Sequence, residues 1–288
     1  MTILVTGGNG QLGCALRLAS AESSHRFIFT DVKELDIVSA AAVEAFFERD
    51  KVDVVVNCAA YTAVDLAEEE EPIADITNSY AVAVLAEACK RHQATLIHIS
   101  TDYVFSGEGD TPYTEEATPS PINAYGRTKL AGERAVIASG CDYIILRTSW
   151  LYSEFGRNFC KTMRELTATR PEIKVVADQI GTPTYAGDLA AAITYIINSG
   201  NLDKCDTYNY SNEGKCSWYD FACEIARLSD NNECKINPCT TADYPTAARR
   251  PRYSVLDKSK FVATFGISIP QWQESLAKCI IRIGKHRA

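Results

Sequence analysis

Short apolar runs alternate with longer amphipathic stretches along the first half of the chain. Two of these runs, Val54-Val55-Val56 and Ile144-Ile145-Leu146, are apolar throughout. An uninterrupted apolar run is typical of a strand that is buried on both faces of a parallel sheet. The runs predict strands at Thr2–Thr6, Arg26–Thr30, Val52–Cys58, Thr95–Ser100, Tyr143–Thr148 and Ile173–Val176.

The stretches between these runs have helical character. They predict helices at Gln11–Ser24, Ser39–Arg49, Pro72–His92, Ala124–Ser139 and Asn158–Thr169. Strands that alternate with helices indicate right-handed β-α-β units. The expected fold class is therefore α/β, with a doubly wound, Rossmann-like parallel sheet.

The pattern changes after about Trp150, where shorter strand candidates and proline-containing loops begin. Further helices are predicted at Tyr185–Asn198, Trp218–Leu228 and Pro270–Ile283. We therefore expect a dinucleotide-binding domain over residues 1–150 and, mainly, a smaller C-terminal substrate-binding lobe over residues 151–288. Residues 185–198 could pack back on the Rossmann sheet.

Composition and charge narrow the class of partner. The net charge of -8 argues against a nucleic acid or an anionic membrane, but it still allows an anionic small molecule. No apolar run approaches the ~20 residues of a membrane span. The N-terminus lacks the basic region of a signal peptide, and the 11 cysteines contain no Cys-x-x-Cys pair. We therefore expect reduced thiols and a cytoplasmic protein.

A glycine-rich loop lies between the first predicted strand and the first predicted helix. It reads Thr6-Gly7-Gly8-Asn9-Gly10-Gln11-Leu12-Gly13. Glycine permits a tight turn and a close approach to a pyrophosphate, and the helix start offers free N–H groups and the positive end of its dipole. The residues expected to hold a dinucleotide are Gly7, Gly10, Gln11, Leu12 and Gly13. A glycine turn without a ligand is the alternative.

Further cofactor contacts are expected at the ends of the second and third strands. Asp31 follows the last glycine by about 20 residues, the distance at which an acidic residue binds the adenosine ribose. Its charge favours NADH over NADPH without excluding NADPH. Asp36 and Ile37 follow in the next loop, where they could contact the adenine. The residues Ala59, Ala60 and Tyr61 follow the third strand, where small side chains leave room for the cofactor.

Three residues further along the chain suggest acid–base chemistry. Tyr125 and Lys129 are four residues apart on a predicted helix and therefore share one face. A free tyrosine has a pKa of about 10, and a nearby ammonium group lowers it. Lys129 could also hold a ribose hydroxyl of the nicotinamide. Thr101 ends the fourth strand, so its hydroxyl could meet Tyr125 and bond the substrate oxygen. These are the parts needed to move a hydride and a proton between a nicotinamide and a carbonyl.

The combination resembles the extended short-chain dehydrogenase/reductase superfamily. The most specific flanking motifs are Ser100-Thr101-Asp102-Tyr103-Val104-Phe105-Ser106-Gly107, Asn123-Ala124-Tyr125-Gly126-Arg127-Thr128-Lys129-Leu130-Ala131-Gly132-Glu133 and Arg147-Thr148-Ser149-Trp150-Leu151-Tyr152. These motifs resemble the dTDP-4-dehydrorhamnose reductase family. Further similar segments, including Asp178-Gln179-Ile180-Gly181-Thr182-Pro183-Thr184, extend the resemblance over nearly the whole chain.

The resemblance implies a reaction and a role for each residue. The family reduces the 4-keto group of dTDP-4-dehydro-6-deoxy-L-mannose to give dTDP-L-rhamnose, a precursor of cell-surface polysaccharide, with NADPH or NADH. It implies that Tyr125 donates the proton, that Thr101 orients the carbonyl, and that Lys129 supports the tyrosine and the ribose. The resemblance also implies that Asp102 and Trp150 line the sugar site.

The sequence allows alternatives for the role of Arg250 and for the oligomeric state. Arg250 could bind the diphosphate of the substrate or cap a surface loop. Some members of the family form a magnesium-linked dimer through an acidic residue in the first helix, where this chain has Ala15. We therefore expect no metal, although a homodimer remains open.

Two alternative functions remain. One is a sugar-nucleotide epimerase or dehydratase on the same scaffold, although a dehydratase would need an acidic pair where Asp102 stands alone. The other is a non-catalytic regulatory subunit of the kind that accompanies methionine adenosyltransferase.

Overall fold

A computed structural model describes residues 1–285 of the chain. Its strands are β1 (Thr2–Thr6), β2 (Arg26–Phe29), β3 (Val54–Asn57), β4 (Thr95–Thr101), β5 (Tyr143–Thr148), β6 (Leu151–Tyr152), β7 (Glu172–Val176), β8 (Ile180–Gly181), β9 (Thr184–Tyr185), β10 (Asp206–Asn209), β11 (Cys216–Ser217) and β12 (Lys235–Cys239). Its α-helices are α1 (Gln11–Ala19), α2 (Ala40–Asp50), α3 (Glu71–Asp75), α4 (Ala81–His92), α5 (Ala124–Ser139), α6 (Phe159–Thr169), α7 (Ala186–Asn198), α8 (Trp218–Leu228), α9 (Ser259–Phe265) and α10 (Trp272–Lys285).

Six strands of this described part form one parallel sheet in the order β10-β5-β4-β3-β1-β2. The strand order reverses between β1 and β3, and a crevice opens at the carboxyl edge of such a switch point. Thr6 on β1 pairs with Asn57 on β3 there, and Thr101 on β4 pairs with Thr148 on the neighbouring strand β5. The sheet thus brings polar residues from four strand ends to one edge.

The core lies in two layers, one on each face of the sheet. Ile3 and Val5 point to one face, where they pack with α1 and α7. Leu4 points to the other face, where it packs with α2 and α4. Alternate strand residues face opposite sides, which explains why runs that are apolar throughout form this sheet. The predicted α/β class and doubly wound parallel sheet are confirmed.

The observed bounds match the predicted ones for β1, β5, α5 and α8, and they differ by one residue for β2, β4, α6 and α7. The predicted strand at Ile173–Val176 exists as part of β7, but it pairs with β12 in a separate two-stranded sheet. The sixth strand of the main sheet is β10, which was not predicted because Asp206-Thr207-Tyr208-Asn209 is not an apolar run. Helix α1 ends at Ala19, five residues before the predicted end, and α9 was missed.

The predicted helix Pro72–His92 is one helical path with an irregular middle. A π-helical turn at Ile76–Tyr80 joins α3 to α4. The buried side chain of Asn78 projects from this turn and accepts a 2.9 Å bond from the Tyr61 amide. Its Nδ2 donates to the Thr128 hydroxyl on α5 at 3.1 Å. The turn therefore ties α5 to the loop that follows β3.

The remaining elements surround a third cluster of apolar side chains. Tyr152, Phe221, Trp272 and Leu276 lie in this cluster, which joins α6, α8 and α10. Helix α7 follows β9 in the chain but packs on the main sheet against α1. In residues 1–285, no helix combines the length and the apolar character that a bilayer crossing requires.

Candidate active site

A cavity of about 580 Å³ runs along the carboxyl edge of the main sheet. The glycine loop closes one end, and aromatic residues that follow β5 or belong to the C-terminal half line the other. Its walls include Gly10, Gln11, Leu12, Ala60, Thr101, Asp102, Tyr125, Lys129, Trp150, Asn158, Phe159 and Trp218. The structure therefore brings most of the predicted catalytic and glycine-loop residues to one space.

The glycine loop has no room for side chains at its two ends. Gly7 has a φ of +63°, and a Cβ on it would lie 2.7 Å from the Ala59 amide nitrogen. A Cβ on Gly13 would lie 2.4 Å from the carbonyl oxygen of Gly7. Gly10 precedes α1 and has no side chain to cap its first turn. The first amides of α1 are thus suited to bind a phosphate group.

Gln11 connects this loop to the C-terminal half of the chain. Its Oε1 accepts hydrogen bonds from Ser153 Oγ at 3.0 Å and from Asn158 Nδ2 at 2.8 Å. Leu12 is buried in the core layer beside α7. A group bound at the loop would therefore contact both halves of the molecule through Gln11.

The three residues predicted to contact the adenosine lie in different surroundings. Asp31 accepts a 3.2 Å bond from the amide of Asn9 in the glycine loop, so its carboxylate lies beside the loop. Asp36 is exposed, and its Oδ1 accepts from the Val38 amide. Ile37 packs in the core layer that contains α2 and α4. Of these three residues, Asp31 has the position that best suits a ribose contact.

The chain segment after β3 passes close to the glycine loop and then reaches α5. Ala59 touches Gly7, as described above, and Ala60 lines the cavity. Tyr61 packs in a small apolar cluster that also contacts Tyr125, and its hydroxyl donates to Glu70 at 2.7 Å. These placements fit a cofactor that crosses the edge of the sheet at this point.

Tyr125 and Thr101 meet at the carboxyl end of β4. Helix α5 begins just before Tyr125, where Asn123 caps it by accepting the amide of Gly126 at 2.8 Å. The Thr101 and Tyr125 side chains both line the cavity there. Burial raises the pKa of Tyr125 to about 12, against the lowering effect of Thr101. Tyr125 is therefore a protonated phenol that can act as a proton donor.

Lys129 lies one turn further along α5 and is fully buried. Its Nζ donates to the Ile99 carbonyl at 2.7 Å and lies 3.5 Å from Nε2 of His98. Burial lowers the pKa of Lys129 to about 8, although the charge of Glu133 opposes this change. We expected Lys129 to lower the pKa of Tyr125, but that pKa rises because the phenol is buried and lies near the charge of Asp102.

Asp102 and Trp150 border the same space. Asp102 is buried, and its Oδ1 accepts a 3.1 Å bond from the Thr101 hydroxyl. Burial raises the pKa of Asp102 to about 7, against hydrogen bonds from Ser254 and Thr101. Trp150 follows β5 and lines the cavity. Both residues line the cavity together with Thr101 and Tyr125.

Arg250 forms an ion pair instead of facing the cavity freely. Its guanidinium binds both carboxylate oxygens of Asp65, at 3.0 and 2.7 Å. Asp65 also accepts the amide of Ala248 at 3.1 Å. These hydrogen bonds lower the pKa of Asp65, the one from Arg250 being the largest cause. Asp65 and the Ala248 carbonyl take three of the five N–H donors of Arg250.

Comparisons with known proteins agree with this geometry. The family model described as the RmlD substrate binding domain matches residues 1–284. A dTDP-4-dehydrorhamnose reductase of Aggregatibacter actinomycetemcomitans is 41% identical over 283 residues, which are 95% of this chain and 96% of that protein. The chain belongs to the dTDP-4-dehydrorhamnose reductase family.

Solved structures of dTDP-4-dehydrorhamnose reductases have the same fold. A crystal structure of the protein from Clostridium acetobutylicum is 44% identical, with a TM-score of 0.94 over 99% of this chain and 100% of that one. The structure from Bacillus anthracis, in complex with NADP, is 38% identical, with a TM-score of 0.93 over 98% and 99% of the two chains.

Two buried polar groups of this family member were missed from the sequence. The first is a chain in which Thr6 Oγ1 donates to Asn57 Oδ1 at 2.7 Å, and Asn57 Nδ2 lies 3.1 Å from Nδ1 of His98. It ends at Lys129. Burial, together with the charge of Lys129, lowers the pKa of His98 well below its usual value. A histidine inside the apolar run of β4 was the available signal.

The second group is a buried ion pair beside α5. Arg147 Nε and Nη2 donate to the two carboxylate oxygens of Glu133, at 2.9 and 2.7 Å. The Ser100 hydroxyl donates to Glu133 at 2.5 Å. All three residues belong to the quoted motifs, but nothing in their spacing shows that the charges are paired.

Ala15 is the residue on which the expectation of no metal rests. It is buried in the core layer beside α7. Among residues 1–285, no group of three or more His, Cys, Asp and Glu side chains could hold a metal ion.

Proposed function

We propose that this chain reduces the 4-keto group of dTDP-4-dehydro-6-deoxy-L-mannose to dTDP-L-rhamnose, with NADPH or NADH as the reductant. The observation that carries this proposal is the convergence of Thr101, Tyr125 and Lys129 in the cavity that also contains the glycine loop. Membership of the dTDP-4-dehydrorhamnose reductase family supports the choice of substrate.

Each of the three residues has a role that its environment supports. Tyr125 holds the proton that goes to the 4-oxygen, because its raised pKa keeps the phenol protonated at neutral pH. Thr101 donates a hydrogen bond to that oxygen and fixes its position. We assign Lys129 the role of supporting Tyr125 and of holding a ribose hydroxyl of the nicotinamide. Proton donation of this kind contributes ~10²–10⁴-fold, and positioning of the two reactants supplies much of the rest.

The cofactor is assigned to the other end of the cavity. When it is bound, the reduced nicotinamide supplies a hydride to the carbonyl carbon. Gly7, Gly10 and Gly13 would leave space for its pyrophosphate, and the first amides of α1 would bind the phosphates. Asp31 would bind the adenosine ribose, and Ala59 and Ala60 would line the path of the cofactor towards Tyr125.

The sugar is assigned to the far side of Thr101. Asp102 would accept a hydrogen bond from a sugar hydroxyl, and Trp150 would cover one face of the ring. We assign Arg250, which is paired with Asp65, a role in binding the diphosphate. We propose residues 1–150 as the cofactor domain and residues 151–288 as mainly the substrate lobe; α7 packs on the main sheet.

The test is an assay at 340 nm with dTDP-, UDP- and GDP-linked 4-keto-6-deoxy sugars and both reduced cofactors. We expect turnover with the dTDP-linked sugar and dTDP-L-rhamnose as the product. Interconversion of sugars without net oxidation of NADPH would instead indicate an epimerase. Absence of turnover, together with a stable complex with a second enzyme, would indicate the regulatory function.

We also propose that the enzyme works in the cytoplasm on a small-molecule substrate, and that it forms a homodimer. All 11 cysteines are free thiols, which fits a reducing compartment. Light scattering after size exclusion tests the dimer, because a monomer and a dimer of 31.6 kDa subunits differ twofold in mass.

A further inference from the structure

Trp218 forms a close aromatic pair with Trp150 in the wall of the cavity. The two indole rings stack with their centroids 3.5 Å apart and their planes within 10°. Phe159 supports Trp218 from another side, with ring centroids 4.5 Å apart. The motifs in the sequence led us to Trp150 alone, because Trp218 lies 68 residues later, at the start of α8.

The backbone at Trp150 shows that this pair holds a strained residue. Trp150 has a φ of +46°, in the left-handed region that residues with a Cβ rarely adopt. Such a conformation persists only where the surroundings fix it. Gly181 leaves the space that Trp150 fills, since a Cβ there would lie 2.6 Å from the indole ring. Trp150 is therefore held between Gly181 and the face of Trp218.

The position of the pair points to one side of the sugar. Thr148 pairs with Thr101 across β5 and β4, and Trp150 follows Thr148 by two residues. The aromatic wall thus begins beside the strand end that carries Thr101. In a 6-deoxyhexose, the carbon next to the 4-keto group carries a methyl group. An aromatic wall gains by burying a methyl group and is a poor partner for the hydroxyl that an ordinary hexose has there.

We propose that Trp218 is a positioning residue that holds Trp150 as an aromatic wall against the methyl-bearing side of a 6-deoxyhexose. The inference rests on the proposed function, because the sugar is identified there. It assigns Trp218 to binding of the sugar nucleotide and to neither proton transfer nor binding of the cofactor. Substitution of Trp218 should therefore change KM for the sugar nucleotide and leave KM for NADPH unchanged.

Kinetics of Trp218 variants test the proposal. We expect Trp218→Ala to raise KM for the dTDP-linked 4-keto sugar about tenfold, the scale on which aromatic pairs contribute, with kcat within a few-fold and KM for NADPH unchanged. Trp218→Phe should recover most of the loss, because phenylalanine keeps a flat ring. Trp218→Leu keeps apolar bulk without the stack, so it tests the same point if Trp218→Ala does not fold.

A matched control and a spectroscopic readout accompany the kinetics. Trp272 is the third tryptophan of the chain and packs on Phe221, away from the cavity. Trp272→Phe should leave both KM values unchanged. Two stacked indoles give a paired positive and negative band in circular dichroism. This band should be lost in all Trp218 variants and retained in Trp272→Phe.

The outcomes separate this inference from the proposed function. Absence of NADPH oxidation by the wild-type protein with the 4-keto sugar nucleotide overturns the proposed function, and this inference with it. Wild-type turnover combined with a parental KM in Trp218→Ala and Trp218→Leu overturns the role of Trp218 alone. Absence of the paired dichroism band in the wild-type protein also overturns it, because the stack would then not exist in solution.

Discussion

Two groups of buried polar residues lie side by side on β4, α5 and β5, and they differ in whether the charged side chain has a partner of opposite charge. The reaction corner consists of Thr101, Tyr125 and Lys129. In it, Lys129 donates to a backbone carbonyl and has a lowered pKa. The buried ion-pair cluster consists of Ser100, Glu133 and Arg147, where both carboxylate oxygens are bound by the guanidinium.

The difference between them separates chemistry from stability. A buried ionisable group with a shifted pKa is typical of a site that exchanges protons. Breaking a buried ion pair leaves a charge without a partner, which destabilises the fold. Residues that are neighbours along β4, Ser100 and Thr101, therefore belong to groups with different functions. Substitutions should affect turnover in one group and folding in the other.

The largest effect on turnover is expected for Tyr125→Phe. The substitution removes the proton donor and keeps the ring, so kcat should fall by about 10³-fold, while NADPH binding and thermal stability stay close to the wild-type values. Steady-state kinetics and a fluorescence titration with NADPH measure the two properties. Tyr195→Phe, on the exposed side of α7, is the matched control. Parental turnover in Tyr125→Phe would remove the proton donor from the mechanism.

The largest effect on stability is expected for Glu133→Gln. The change leaves Arg147 buried without its charge partner, which should cost about 3–5 kcal/mol of unfolding free energy. Glu71 forms a similar two-bond pair with Arg127 on the same helix, but that pair is exposed at the surface. Glu71→Gln should therefore cost less than about 1 kcal/mol. Urea denaturation measures both, and equal losses would contradict the distinction between the two groups.

A smaller effect is expected from pH. Lys129 has a pKa of about 8, so kcat/KM for the sugar should fall as pH rises through 8 and Lys129 loses its charge. Lys129→Arg stays charged, and its profile should lack this fall. A wild-type profile that is flat between pH 7 and 9 would show that the charge of Lys129 is not needed.

Lys129 should also make the free energy of unfolding depend on pH, with a sign that follows from its lowered pKa. The pKa of Lys129 in the folded protein lies below its unfolded value of 10.5, so the unfolded chain binds more protons between pH 8 and 10.5. Lys129 should therefore make the protein more stable as pH rises through this window. The difference in unfolding free energy between the wild type and Lys129→Met measures this contribution, and a difference that falls with pH would contradict it.

The smallest effect is expected outside both groups, at Asp31. Asp31→Ala removes a negative charge beside the glycine loop and should shift the preference towards NADPH by a few-fold, with kcat unchanged. The ratio of kcat/KM for NADH and NADPH measures it. An unchanged ratio would exclude Asp31 from binding the ribose.

The sequence predicted the reaction corner better than its surroundings. Thr101, Tyr125 and Lys129 come together because a strand end and one helix face follow from local patterns. The pairing of Glu133 with Arg147 depends on how α5 lies across β5, which no local pattern contains. The rise in the pKa of Tyr125 was missed for a similar reason, because burial is a property of the whole fold.

The C-terminal half was harder to predict for a related reason. Strand β10 joins the main sheet through contacts with β5, although three of its four residues are polar. The stack of Trp218 on Trp150 joins residues far apart in the chain. In both cases, the partner that decides the structure is distant in sequence.

Gln11 has a consequence for the two ligands taken together. It lies at the start of α1 and accepts hydrogen bonds from Ser153 and Asn158, which precede and cap α6. A nucleotide that orders Gln11 would also order these two residues, and a sugar nucleotide that orders them would restrict Gln11. Because such coupling is reciprocal, each ligand should strengthen the binding of the other, and a single amide side chain would link the two affinities.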